Sequence, residues 1–319
     1  MKRYLNQVPH NVYVRQWFYD QAAIAVHDAM KLTKMKRLTT NRHKVVTLFP
    51  ETNPSMDSYR IGTLLELIRT VTLRLVFEER LRVRICVQSS MGVGIFTGIP
   101  KQLSGVMKLL QMMDWQSDVG ECNEGIIGDY VRFGAIGPDH VMNTTRDTYN
   151  DTIVTQYQDD VFLIIAPQSM VGTDTSIIPL LSEMCTAIGN ERPIVLFNPD
   201  LTDKISSGGQ QSVRGRQARI DFANTFATIF HFQNIYVSGT SYFPILGTIT
   251  KLHPEEAWIA HQRRDYANNG GEVYVPGKSL CQNSASTCTN LYSASLDHDF
   301  TEYDFFLLSL LITMLLITP

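Results

Sequence analysis

The stretch DVFLIIAPQ, residues 160–168, decides the reading of the fold. A strand with one face in water alternates apolar and polar residues; the unbroken run VFLIIA is the pattern of a strand covered on both faces. RPIVLFNP (192–199) repeats it, and LRVRICVQ (81–88) and KVVTLFP (44–50) read as further strands, the last stopped by Pro50. Helical spacing lies between them. Residues 10–36 place Val14, Phe18, Ala22, Ala25, Ala29 and Met30 on one face. YRIGTLLELIRTVTLRLVFEER (59–80) lines up Ile61, Leu64, Leu65, Ile68, Leu75 and Val76, with Asp57 or Ser58 expected as its N-cap. QLSGVMKLLQMMDW (102–115) and SIIPLLSEMCTAIG (176–189) read as helices, Pro179 being tolerated in a first turn. RGRQARIDFANTFATIFHF (214–232) is expected to be helical throughout, and residues 116–150 irregular except for a short strand at YVRFGAI. After that the rhythm changes: QNIYVSG, ILGTITKL, AWIAHQRR and EVYVP are strands with short turns, the sign of antiparallel hairpins. Four β-α units followed by a meander predict a three-layer α/β fold, a mostly parallel sheet with an antiparallel C-terminal extension.

The chain has 319 residues, 44% of them hydrophobic and 18% charged, enough for a substantial core. Its formal net charge of −3 gives no global case for nucleic acid, whose binders carry a basic excess. The five cysteines, Cys86, Cys122, Cys185, Cys281 and Cys288, match no common zinc spacing and point to a reducing compartment, with Cys86 in a buried strand and Cys185 on a helix face. Residues 1–14 form an N-terminal extension without the apolar core of a secretory signal or the pattern of a full transit peptide. Residues 15–278 are expected to be a single α/β domain, 279–304 a polar linker and 305–319 an apolar tail. That tail, FFLLSLLITMLLITP, is 15 residues long, whereas a spanning helix needs about 20. A membrane foot, a half-buried helix and a gene-model artefact all fit it.

NPDLTDKISSGGQQSVRGRQAR (198–219) has the layout of a phosphate loop, a strand followed by glycines and a helix. The chemistry is missing. A phosphate-cradling loop ends in Gly-Lys-Ser/Thr, but here Lys204 precedes Gly208 and Gly209, and arginines follow. Arg214, Arg216 and Arg219 fall in the first turns of the expected helix, where cations oppose the helix dipole at a cost of about 0.3–1 kcal/mol each. Intramolecular ion pairs, an acidic or lipid partner surface, or a small anionic ligand would each relieve this. SMGVGIFTGIP (90–100) spaces Gly92, Gly94 and Gly98 one residue too widely for a dinucleotide fingerprint and reads as a tight turn. Gln88, Gln168 and Asn198 each lie just past an expected parallel strand, so they belong to one sheet edge, where α/β proteins gather ligands. Amides there also satisfy loop backbone, and they supply neither nucleophile nor acid nor base.

No two of the eight histidines stand at metal-ligand spacing, and no metal or cofactor is read from the chain. His231, inside FHF, reads as a satisfied, partly buried side chain; Asp159 and Asp160 read as a solvated loop; Trp115 reads as a packing anchor.

Five blocks taken together carry a resemblance: FPETNPSMDSYRIGTLLELIR (49–69), VQSSMGVGIFTGIPKQLSGVMKLLQMMDW (87–115), FLIIAPQSMVG (162–172), the stretch from Arg192 to Arg219, and FANTFATIFHFQNIYVSGTSYFPILGTI (222–249). They resemble a domain-of-unknown-function family of plants, algae and other photosynthetic lineages, typified by the chloroplast protein Low PSII Accumulation three. The resemblance implies a plastid protein of the stroma, soluble or peripherally attached to the thylakoid. It implies a role in photosystem II assembly through a core subunit and a thylakoid insertase, without catalysis. A related domain fused to a chloroplast adenylate kinase keeps an alternative open, the handling of a nucleotide or phosphometabolite at the sheet's carboxyl edge.

Overall fold

A computed structural model describes residues 12–54, 56, 58–88, 105–115, 130–141, 143–146, 153–156, 159–169, 177–202, 215–236, 245–265 and 272–276. The expected apolar tail, the polar linker, Cys122, Cys281 and Cys288, Arg214, and the two glycine-rich loops (90–100 and 203–214) lie outside them. The described residues divide into a larger unit, up to Gln233 with Lys251–Glu256, and a smaller one that holds residues 234–250 and 257–276 where these are described.

The larger unit is an α/β sandwich. Strands β1 (Arg42–Leu48), β2 (Val83–Val87), β3 (Val131–Ala135), β6 (Val161–Ile165), β7 (Ile194–Phe197) and β8 (Ala227–Tyr236) lie side by side in the order β8-β1-β7-β6-β2-β3. The pairings among them are all parallel. The central run 161–165 is wholly buried, as its apolar continuity requires. A two-stranded hairpin, β4 (Asn143–Arg146) with β5 (Ile153–Gln156), interrupts the region expected to be irregular. In the smaller unit, β9 (Ile245–Lys251), β10 (Ile259–Asp265) and β11 (Glu272–Pro276) form an antiparallel meander. The fold class is therefore as the sequence predicts: α/β, a mostly parallel sheet, antiparallel strands at the C-terminal end.

Helices cover both faces. On one, α1 (Val12–Lys34) and α2 (Ile61–Glu79) pack together, and Phe18 meets Phe232 of β8 at 4.6 Å between ring centroids. The short α3 (Val106–Met112) joins α2, with Trp115 buried behind it and donating to the Leu110 carbonyl at 2.7 Å. On the other face α4 (Ile178–Ile188) closes a core of Cys86, Phe162, Ile164, Ile194 and Leu196 with its Leu181, Met184, Cys185 and Ile188, and Phe222 and Ala223 of α5 (Arg216–Asn224) pack against the same core. The split follows from handedness. The β1-to-β2 crossover moves one way along the sheet and β6-to-β7 the other, so right-handed connections put their helices on opposite faces.

Three expectations are corrected. The helix expected over 214–232 stops at Asn224, and from Ala227 the chain is strand β8. Ala227–Tyr236 is rich in β-branched and aromatic residues, and its pairing with β1 outweighs the helical spacing. Helix α2 is capped by neither Asp57, outside the described residues, nor Ser58: Arg60 occupies the cap, its N–H bonded to the Glu51 carbonyl at 2.8 Å. Asp159 is not solvated. It is 2% exposed and accepts from Arg84 Nε at 2.6 Å.

Candidate functional site

Three parallel strands leave the sheet through the same sequence device: apolar run, one residue, proline. They are Phe49-Pro50 after β1, Ala166-Pro167 after β6 and Asn198-Pro199 after β7. Ala166 (φ +40) and Asn198 (φ +45) adopt the left-handed region, unusual for residues other than glycine. Each remains in the ladder while turning, the Ala166 N–H donating to the Phe197 carbonyl at 2.8 Å and the Asn198 N–H to the Val45 carbonyl at 2.9 Å.

The expected amides come to this edge, with their hydrogen bonds directed at backbone. The Gln168 N–H donates to Gln88 Oε1 at 2.9 Å, and Gln88 Nε2 donates to the Gln168 carbonyl at 3.3 Å, so the side chain of Gln88 acts as one more rung between β2 and β6. Asn198 Oδ1 accepts from the Thr47 N–H at 2.6 Å and the Thr47 hydroxyl at 3.2 Å; its Nδ2 donates to the carbonyls of Thr47 (3.0 Å) and Thr52 (3.3 Å). Gln168 also bridges to Asp200, the Asp200 N–H donating to the Pro167 carbonyl at 2.9 Å. Gln88 and Gln168 thus meet directly, while Asn198 serves the β1–β7 corner.

The connections diverge between β6 and β2, one leading through α4 to β7 and the other through α3 to β3. Such a divergence is where open α/β sheets hold ligands. Beside it stands Ser169, 2% exposed, its hydroxyl without a hydrogen-bond partner among the described residues. Sequence reasoning stopped at Gln168 and missed this serine; its place one residue past the amide was the available signal.

Arg216 and Arg219 lie elsewhere, in the first turn of α5, behind a left-handed Gly215 and with no acidic residue in that turn. Both are partly exposed. The two described cysteines are buried, Cys86 in β2 and Cys185 in α4, and burial pushes their thiols up to about 12 and about 11, the state of inert core cysteines. No group of three or more His, Cys, Asp or Glu side chains is placed to hold a metal among the described residues, and no described helix is long and apolar enough to cross a membrane.

The sequence pattern of the family described as Domain of unknown function (DUF1995) matches residues 14–276, most of the chain, and the chain belongs to that family.

Proposed function

We propose that this DUF1995 protein is a non-catalytic assembly factor for photosystem II in the chloroplast, acting from the stroma or the thylakoid surface by holding a core subunit or its insertion machinery. The five sequence blocks resembling the Low PSII Accumulation three type support the reading. The observation that carries it furthest is the start of α5. Arg216, partly exposed, sits at the helix start where the dipole disfavours a cation, with no acid in the turn, and an acidic partner segment would offset a cost of about 0.3–1 kcal/mol. The test is affinity purification from isolated thylakoids and stroma with the wild-type chain and with Arg216→Glu/Arg219→Glu. Photosystem II subunits or an insertase are expected with the wild type and depleted with the folded double variant. Equal capture by both would reject the arginine surface, and normal photosystem II accumulation in a knockout would reject the assembly role.

A second reading, a nucleotide or phosphometabolite held at the carboxyl edge, is favoured by one observation, the buried hydroxyl of Ser169 at the β6–β2 divergence. A nucleotide panel should then raise the melting temperature of the wild type and not of Ser169→Ala.

A further inference from the structure

The pairing of β1 with β8 contains a register shift between Lys44 and Val45. Lys44 is opposite Thr228 and Val45 opposite Phe230, leaving Ile229 as the extra residue. Side chains alternate along a strand, so Thr228 and His231, three apart, would ordinarily point to opposite faces. The extra residue cancels the mismatch: Thr228 faces the same way as Lys44, and His231 the same way as Val46. Bulges that re-aim one side chain in this manner recur beside functional sites. Here the outcome is a polar group on the α4–α5 face, with Arg42 and Lys44 from β1 and Thr228, His231 and Gln233 from β8. His231 Nε2 lies 3.3 Å from Gln233 Oε1.

The two faces of β1 differ. His43, Val45 and Thr47 are fully covered, whereas Arg42, Lys44, Val46 and Leu48 remain partly open, as do Thr228 and Gln233. Solvent therefore reaches part of this face. Its charge is one-sided: among the described residues no carboxylate pairs with Lys44, and Arg42 donates to the Thr225 hydroxyl at 3.4 Å rather than to an acid. Burial pulls the Lys44 amine below the ordinary lysine range; burial first, and then the Lys44 charge, disfavours protonation of His231, against the hydrogen bond to Gln233 that favours it. A partly buried ammonium without a counter-charge is costly, and folded proteins ordinarily supply one.

We propose that Lys44, with the Thr228 hydroxyl beside it, is the anchor of a small-oxyanion site on the β1–β8 face, taking the phosphate or carboxylate group of a metabolite as the missing counter-charge. The site is separate from the Gln88–Ser169 edge and from the partly exposed arginines at the start of α5, and it does not depend on the assembly role. Lys44 provides the charge, Thr228 a hydroxyl donor and Arg42 a second cation on the same face.

The experiment is thermal unfolding of the full chain at fixed ionic strength, sodium chloride being exchanged stepwise for inorganic phosphate or for acetate. The variants are Lys44→Met, close in length and uncharged, and Thr228→Val. The wild type should melt at a higher temperature in one or both anions, Lys44→Met should not respond, and Thr228→Val should respond less. Phosphate alone acting would assign a phosphorylated ligand, acetate alone a carboxylate. In parallel, the pKa of Lys44, followed through its Cε carbon resonance, should rise on adding the active anion. An equal response from Lys44→Met, no response from the wild type, or a Lys44 pKa indifferent to both anions would overturn the site. Should Lys44→Met fail to fold, the Thr228→Val comparison and the wild-type resonance still decide.

Discussion

The two edges of the parallel sheet are held by different chemistry. At the amino edge the anchors are charged. Arg84 and Asp159 form a buried pair, with Arg132 at 4.0 Å from the other carboxylate oxygen. Arg192 covers the Phe162 ring at 5.2 Å and donates to the carbonyls of Ile188, Ala187 and Asp159. At the carboxyl edge the anchors are neutral: the amides of Gln88 and Asn198 imitate backbone and extend the ladder by a rung. A charged anchor is strong while its partner is present and costly without it. A neutral amide holds a corner at smaller cost and brings no charge to the place where the long connections leave. The amino edge is thus tied by charge, and the carboxyl edge by neutral amides.

The largest expected effect comes from breaking the charged edge. Asp159→Ala removes the buried carboxylate that Arg84 Nε donates to and should lower the unfolding free energy by about 3–5 kcal/mol in urea titration; Arg84→Met combined with Asp159→Leu should recover much of that loss. A loss below about 1 kcal/mol for the single variant would mean that Arg84 reaches water, and the contrast between the edges would fail.

Acid should also act on the amino side. His43, the second residue of β1, is buried with its Nδ1 unpartnered among the described residues, and burial lowers its pKa from 6.5 to about 4. The unfolded chain then binds the proton more readily than the folded one, so the His43 contribution is whole above about pH 6.5 and fades as pH falls toward 4, by on the order of 3 kcal/mol. His261 in the smaller unit (about 4) and His231 (about 3) have the same sign. Stability profiles of wild type and His43→Gln should converge as the pH is lowered; parallel profiles would remove His43 as the cause.

Asn198→Ala tests the neutral edge. It deletes the amide bonds to Thr47 and Thr52 and leaves alanine in the left-handed region, for a loss of about 2–3 kcal/mol. Because an amide does not titrate, that loss should be the same at pH 5 and pH 8, measured by the same denaturation. A strong pH dependence would mean that the corner relies on a charge after all.

The sequence showed the carboxyl edge better than the amino edge. Gln88, Gln168 and Asn198 each follow an apolar run, and the end of a run is a local property. What each amide binds was not legible: Thr47 is 151 positions from Asn198, and only the strand order makes them neighbours. Asp159 was misread because two adjacent acids look like a solvated loop until Arg84, 75 positions away, is placed beside one of them. The β8 error has the same origin. Arg216–Asn224 is helical on its own merits, but nothing local marks where the parallel neighbour takes over. The Lys44 group was hidden in a single extra residue, since period-two reading puts Thr228 and His231 on opposite sides.

The proline after Ala166 and Asn198 has a mechanical consequence. Proline carries no N–H, so the next donors along each exit are those of Gln168 and Asp200, and both are tied sideways, to Gln88 and to the Pro167 carbonyl. The exits of β2, β6 and β7 are laced to one another in series. Tension applied at any of them is shared across three parallel strands, which then separate by sliding together under shear rather than by opening rung by rung like a zip.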